Sequence, residues 1–267
     1  MIVYTFDGTM NGLLTAVFDA FAQKEQPERL LSIGDELPLF CDRIYQVTSD
    51  EEKAQRVWTG LEKRLPHDAM ALISMSWLSE LPELNTPLFQ YICKVFKQPL
   101  EDCKSPIKSI SRNFADPDVL AVTQITHKVV RERQRMKQFI RFQKAKDGTY
   151  LAVVSPDHNV LPLITAHFQD RFNDQPWLIY DAKRHYGYYY DGNADAIRIT
   201  FEDEAAVPFN LENGHLDEEV LSADDHLLQD LWRTYFKAIC IKERLNPRKQ
   251  LNDMPRRYWK YLTEKQV

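Results

Sequence analysis

The spacing of apolar residues changes after about Met136, and that change constrains the fold more than any other feature. Up to about Met136 the apolar positions recur mostly at helical spacing. Beyond it, runs of two-residue alternation separated by turn residues take over. A chain of this kind needs a mainly helical first part and a sheet in the second, which is an α+β arrangement.

Within the first part, Ile2 to Tyr4 reads as a short strand and Phe6-Asp7-Gly8-Thr9 as a turn. A helix follows on Leu13, Leu14, Val17, Phe18 and Phe21, with Thr9 or Asn11 as its cap. Gly8 and Gly12 fit neither the dinucleotide nor the P-loop spacing, so this turn reads as structural rather than as a nucleotide site. Helices are expected over Asp50 to Leu65, His67 to Leu81 and Pro87 to Lys97, with a proline-punctuated linker or long loop near 98–116. A long helix then runs from Asp118 to about Met136, capped by Asp116. Its Gln124, Lys128, Arg131 and Arg135 share a face apart from the apolar stripe of Val122, Ile125, Val129 and Met136.

In the second part, Phe139 to Gln143 and Thr149 to Val154 flank an Asp147-Gly148 turn and predict a hairpin. Val160 to Phe172 returns to helix. Trp177 to Asp181, Tyr186 to Tyr190 and Ala196 to Phe201 predict a three-strand antiparallel meander. A helix over Asp225 to Arg244 should turn Leu228, Leu231, Trp232, Tyr235 and Ile239 inward, and a basic, aromatic tail broken at Pro255 ends the chain. The expected architecture is a part over 1–115 that is mainly helical with a short N-terminal strand. An α+β part over 116–267 follows, with an antiparallel sheet of about five strands packed with helices; the two either stand apart or form one integrated domain.

Composition narrows the function classes. With 44% apolar and 27% charged residues in 267, the chain can bury a real core. Its longest largely apolar stretch, Ala69 to Leu78, falls far short of the roughly 20 residues a membrane helix needs. No basic region precedes an apolar one at the start, so the expected location is cytoplasmic. Cys41, Cys93, Cys103 and Cys240 are scattered, with no C-x-x-C pair, and read as buried or incidental thiols rather than ligands; no metal site is expected.

Net charge is −5, but the charge is segregated. Lys128 to Lys146 holds eight Lys/Arg against one acid, Glu132, and Arg233 to Lys260 holds nine against two. Glu202 to Asp230 carries ten acids and no Lys or Arg. Two readings stand: a basic face that steers a polyanion, or acidic and basic stretches that pair with each other.

Three constellations are candidates for chemistry. His167 and Arg171 lie four apart on one helix, and Asp181, Lys183, Arg184 and His185 cluster after the next strand. His167, Asp181, Arg171 and Arg184 would supply an acid/base pair beside a phosphate clamp, or else an ordinary polar network. Tyr186, Tyr188 and Tyr190 share one strand face, which is either a base-stacking platform or core. The tail interleaves Arg248, Lys249, Arg256, Arg257 and Lys260 with Tyr258, Trp259 and Tyr261, the mix that single-strand binding uses and that a packed clamp also uses.

These segments also carry a resemblance. Phe6-Asp7-Gly8-Thr9 with its helix, Arg135 to Phe142, His167-Phe168-x-x-Arg171-Phe172 and Trp177-Leu178-Ile179-Tyr180-Asp181-x-x-Arg184 resemble one bacterial family of unknown function grouped with DNA metabolism and repair. Lys242-Glu243-Arg244-x-Asn246-Pro247-Arg248 and Met254-Pro255-x-Arg257-Tyr258-Trp259-Lys260 resemble that family's end. The likeness runs from about residue 3 to 264 and is weakest between about 25 and 115.

What the resemblance implies is a DNA-metabolism protein that accompanies a radical-SAM repair or modification enzyme, some relatives being fused to a uracil-DNA glycosylase-like domain. The iron–sulfur cluster and S-adenosylmethionine would then belong to the partner, and no cofactor to this chain. On that reading Arg131, Arg135, Arg141, Lys183, Arg184, Arg248, Arg256 and Arg257 contact phosphate in single-stranded or damaged DNA. Tyr188, Tyr190, Tyr258 or Trp259 stack on bases. A stand-alone DNA enzyme and a protein–protein adaptor are the alternatives.

Overall fold

The computed structural model describes residues 1–105, 107–201, 209–210, 213–240 and 246–265. Two compact units divide the chain, Met1–Val130 and Arg131–Val267.

The first unit opens with β1 (Ile2–Phe6), whose Val3, Tyr4 and Phe6 are fully buried. Helix α1 (Met10–Ala22) follows at once. Its Thr9 cap accepts from the Gly12 amide at 2.9 Å, satisfying one of the free donors of the first turn. β2 (Arg29–Ser32) and β3 (Arg43–Gln46) flank β1, and both pair with it in parallel, giving the order β2-β1-β3. Helices α2 (Glu51–Arg64), α3 (His67–Trp77) and α4 (Asn85–Lys97) follow, then the short α5 (Leu100–Cys103).

Asp50 caps α2 through the Lys53 amide. Glu51 and Glu52 sit in its first turn and Lys63 and Arg64 in its last, so the charges complement the helix dipole at both ends. One core joins Tyr4, Leu13, Val17, Leu30, Leu61, Ile73, Leu88 and Val122. Of this unit's sheet only β1 was expected. β2 and β3 have four residues each, and β3 is largely exposed, so neither carries a two-residue alternation long enough to read.

Helix α6 (Pro117–Phe139) is the long basic helix. Its cap is Asp116, which accepts from the Asp118 amide at 3.0 Å while Lys94 bonds to both carboxylates.

The second unit, from Arg131, is built on a five-stranded sheet ordered β4-β5-β6-β7-β8. Its strands are β4 (Gln143–Lys144), β5 (Tyr150–Val154), β6 (Trp177–Asp181), β7 (Tyr186–Tyr190) and β8 (Ile197–Ile199), with α7 (Leu161–Arg171) between β5 and β6. The α+β class, the Asp147-Gly148 hairpin turn and the meander β6–β7–β8 are as expected, but the hairpin's first strand is Gln143–Lys144 and not Phe139 to Gln143, since α6 runs on to Phe139. The sheet is mixed rather than wholly antiparallel, because α7 carries the chain back across the sheet and sets β5 and β6 parallel. Pairing of β6 with β7 requires Gly187: a Cβ there would sit 2.7 Å from the Ile179 carbonyl oxygen.

Among the described residues, α8 (Ala223–Ala238), α9 (Pro247–Asp253) and 3-10 stretches over Arg256–Tyr261 and Thr263–Lys265 close the unit. The expectation for α8 is corrected here. Leu228, Leu231, Trp232, Tyr235 and Ile239 are 38 to 57% exposed and not turned into the core. The helix is held instead by Asp225, buried and accepting from the Lys144 amide at 2.8 Å, and by Trp232, whose indole donates to Glu264 at 2.9 Å.

The expected extension of this helix to Arg244, which falls on 241–244, the motif residues Lys242 to Arg244, Pro106 of the linker and the 202–208 and 211–212 parts of the acidic stretch lie outside the described residues. No helix among the described residues is long and apolar enough to cross a membrane.

Candidate nucleic-acid interface

The second unit's polar chemistry gathers where its two parallel strands end. β5 and β6 both point their carboxyl ends at the loop 155–160 and the turn 181–185, the position where open sheets of parallel strands place ligands. Asp181, fully buried, closes this turn. Its Oδ1 accepts from the Lys183 amide at 2.9 Å, and its Oδ2 takes the Arg184 guanidinium at 2.8 Å. Burial pushes the Asp181 carboxyl above its ordinary range even though Arg184 pulls the other way. Arg184 also donates to the carbonyls of Pro156 and Asp157, and Lys183 reaches the same Asp157 carbonyl at 3.0 Å.

Asp157 links this turn to the tail. Its side chain pairs with Arg257, and its amide donates to Glu132 at 2.9 Å. Glu132, only 2% exposed, accepts from both Arg257 at 2.6 Å and the Tyr258 hydroxyl at 2.5 Å. Tyr258 is buried against Phe139, and burial raises its hydroxyl pKa well above the ordinary tyrosine range. Asp181, Arg184, Asp157, Arg257, Glu132 and Tyr258 therefore form one connected polar hub. Arg135 adds a second tie between α6 and the tail, donating to the Asn252 carbonyl at 3.1 Å.

Arg131, Arg248 and Arg256 behave differently. All three are exposed, and none has a carboxylate partner among the described residues; Arg256 lies 5.8 Å from the ring centre of Trp259. Trp259 is half-buried, with Lys265 at 4.8 Å from the same ring. The ties from Arg135 and Arg257 hold α9 and the 3-10 stretch against the arginine-bearing end of α6, so these free cations stand on a fixed scaffold.

His167 and Arg171 do come together, in a cleft of about 250 Å³ that also includes Lys137, Arg141 and Phe142. Partial burial, with Lys137 and Arg171 nearby, holds the His167 pKa below its ordinary value. Asp181 and Arg184 do not line that cleft. They are committed to the hub, so the four residues fall into two separate pairs. Arg141 is committed too: it pairs with Glu264, itself 1% exposed, at 2.7 Å and lies over the Trp232 ring.

The tyrosine strand is largely core. Tyr186 and Tyr190 are buried, with hydroxyls donating to Asn159 and to the Asn173 carbonyl, and only Tyr188 of that face is half-exposed. Burial closes Tyr190 and Tyr258 to base stacking in this conformation.

Sequence reasoning missed Glu132, Asp157, Asn159 and Glu264. The one available signal was Glu132 itself, a lone acid inside a run of eight cations, since such a carboxylate is bound to find a partner.

No curated protein matches this chain. Among solved structures, a pGpG-specific phosphodiesterase, PggH of Vibrio cholerae, is similar over 89% of this chain and 99% of its own. Its identity is 11% and its TM-score 0.26, a level that carries no argument. The sequence pattern of a domain of unknown function, DUF4130, matches residues 83–264, which takes in α4, α6 and the whole of the second unit's sheet. That span is well over half of the chain, and the chain belongs to the DUF4130 family.

Proposed function

We propose that this protein binds DNA, single-stranded or damaged, and serves DNA repair or metabolism as an accessory to a radical-SAM repair or modification enzyme. One observation carries the DNA-binding half: Arg131, Arg248 and Arg256 stand exposed and without carboxylate partners on elements that the buried hub fixes in place. Cations on a rigid scaffold bind phosphate without first breaking an internal pair, and the released counterions drive the association. Lys183 at the neighbouring turn and the half-buried Trp259 and Tyr188 extend the reading to backbone and base contacts. The radical-SAM partner rests on the family resemblance of the sequence, and the cluster and S-adenosylmethionine are placed on that partner.

A stand-alone enzyme is less well supported. His167 has Lys137, Arg171 and Asp170 acting on its charge, while Asp181 is buried against Arg184, so the proposed acid/base pair is not assembled. The adaptor reading has one observation in its favour, the exposed apolar stripe of α8, which would dock the partner enzyme.

Fluorescence anisotropy of single-stranded, duplex and uracil-containing DNA across a salt series tests the proposal. Affinity should fall linearly in log–log form, with a slope of about −0.7 per phosphate contact for single strands and about −0.9 for duplex. Absence of binding at about 100 mM salt would favour the adaptor.

A further inference from the structure

We propose that the cleft holding His167 and Arg171 is a phosphomonoester site that takes the terminal phosphate of a nucleotide, at the end of a DNA strand or on a free mononucleotide. The strand-end source rests on the DNA-binding reading; the chemistry of the cleft does not. Two segments that stand apart in sequence, Lys137 to Phe142 and His167 to Phe172, form it, and both belong to the second unit. Lys137 comes from the last turn of α6. His167 and Arg171 lie four apart on α7, so they project from one helix face. The floor is aromatic. Phe142 meets Phe168 and Phe172 edge-on, at 5.8 and 5.5 Å between ring centres, and Phe168 lies parallel to Phe172 at 6.1 Å. His167 packs edge-on against Phe168 at 5.3 Å, and the Arg171 guanidinium lies 5.6 Å from the centre of the Phe172 ring. Cations beside an apolar floor keep more of their attraction for an anion than cations in open water.

The side chains around that floor are donors. Lys137, Arg171 and His167 have no carboxylate partner among the described residues, and no carboxylate lines the cleft. Arg141 is committed to Glu264 and to the carbonyls of Gln138 and Ile140, so it fixes the wall and is not counted as a ligand. Lysine and arginine present donors alone. A phosphomonoester answers them with three unesterified oxygens and a charge of about −1.5 to −2, where a phosphodiester inside a strand has two such oxygens and a single charge. At about 250 Å³ the cleft is smaller than the usual ligand cleft of about 300–1,000 Å³, which suits an end group and not a length of strand.

Both helices end at this cleft, and their carboxyl ends oppose an anion. Each contributes about half a negative charge, so about one together, against the full charges of Lys137 and Arg171. The bonds from Arg141 to the Gln138 and Ile140 carbonyls weaken the end of α6 further. The field left in the cleft is positive. His167 registers it: burial first, then Lys137 and Arg171, hold its pKa down, against a smaller opposing pull from Asp170, which does not line the cleft.

Two measurements on the full chain test the assignment. One is fluorescence anisotropy of an internally labelled single strand ending in a 5′-hydroxyl, a 5′-phosphate or a 3′-phosphate; the other is isothermal titration with thymidine and its 5′-monophosphate. A terminal phosphate should tighten strand binding at least about fivefold, and the monophosphate should bind at least about fivefold more tightly than thymidine. Arg171→Ala and Lys137→Ala should each reduce the gain, and the double change should abolish it, so the outcome does not hang on one variant's folding. A gain in the strands alone would assign the cleft to DNA ends, and a gain in the titration alone to free mononucleotides. Loss of all DNA binding with the monophosphate preference intact would remove the DNA surface and keep the cleft. Strands that bind alike whatever their ends, with no preference for the monophosphate, would overturn the cleft and leave the DNA surface standing. A gain that survives the double change would overturn it as well.

Discussion

Inside the second unit, Arg141, Arg184 and Arg257 each meet a carboxylate that solvent hardly reaches: Glu264, Asp181 and Glu132. At its surface, Arg131, Arg248 and Arg256 meet none among the described residues. Arg256 and Arg257 are adjacent in sequence yet fall on opposite sides of this divide. Partnership, and not the density of positive charge, separates a cation that builds the fold from one that is free to meet a ligand. A buried carboxylate left unpaired is costly, so the inner arginines cannot be borrowed for DNA without loss of structure.

Several substitutions would break or sharpen that contrast. Arg141→Ala should have the largest effect on stability, about 3 kcal/mol, because it strands Glu264 in the interior. Chemical denaturation followed by tryptophan fluorescence reads it, and a loss below about 0.5 kcal/mol would remove Arg141 from the inner class. Arg257→Ala should cost less, about 2 kcal/mol, since its side chain is 39% exposed and Tyr258 and the Asp157 amide still serve Glu132.

The acid limb comes next. Burial pushes the Glu264 carboxyl up, but hydrogen bonds from Arg141 and Trp232 outweigh it and hold the pKa below its model-peptide value of 4.5. A carboxylate with a depressed folded pKa contributes stability above its unfolded pKa and loses it as pH falls through the folded one. Glu264→Gln should therefore flatten the fall in stability below pH 4.5, and an unchanged acid limb would contradict the pairing. The smallest effect belongs to the triple change Arg131→Ala, Arg248→Ala and Arg256→Ala, which should leave unfolding within about 0.5 kcal/mol of the parent.

Much of the fold was legible because its signals are local. Thr9, Asp50 and Asp116 cap helices through bonds that span three residues or fewer, and Asp147-Gly148 marks its hairpin directly. What was hidden depends on distant partners. β2 and β3 gain strand character by pairing beside β1, and β5 runs parallel to β6 only because α7 intervenes.

The candidate site was legible in composition and not in role. A run of arginines and tyrosines does not disclose that Arg257 and Tyr258 turn inward to Glu132, or that Tyr190 lies in the core. The stripe on α8 shows the converse, an amphipathic pattern that announces an apolar face without saying what covers it.

The most direct test of the divide is the salt dependence of single-stranded DNA binding by the parent, the Arg131/Arg248/Arg256 triple variant and Arg257→Ala. The account predicts that the triple variant's log–log slope becomes shallower by about 2, from three lost contacts at about 0.7 each, while Arg257→Ala keeps the parent slope under conditions where it remains folded. An unchanged slope in the triple variant, or a shallower one in folded Arg257→Ala, would contradict it.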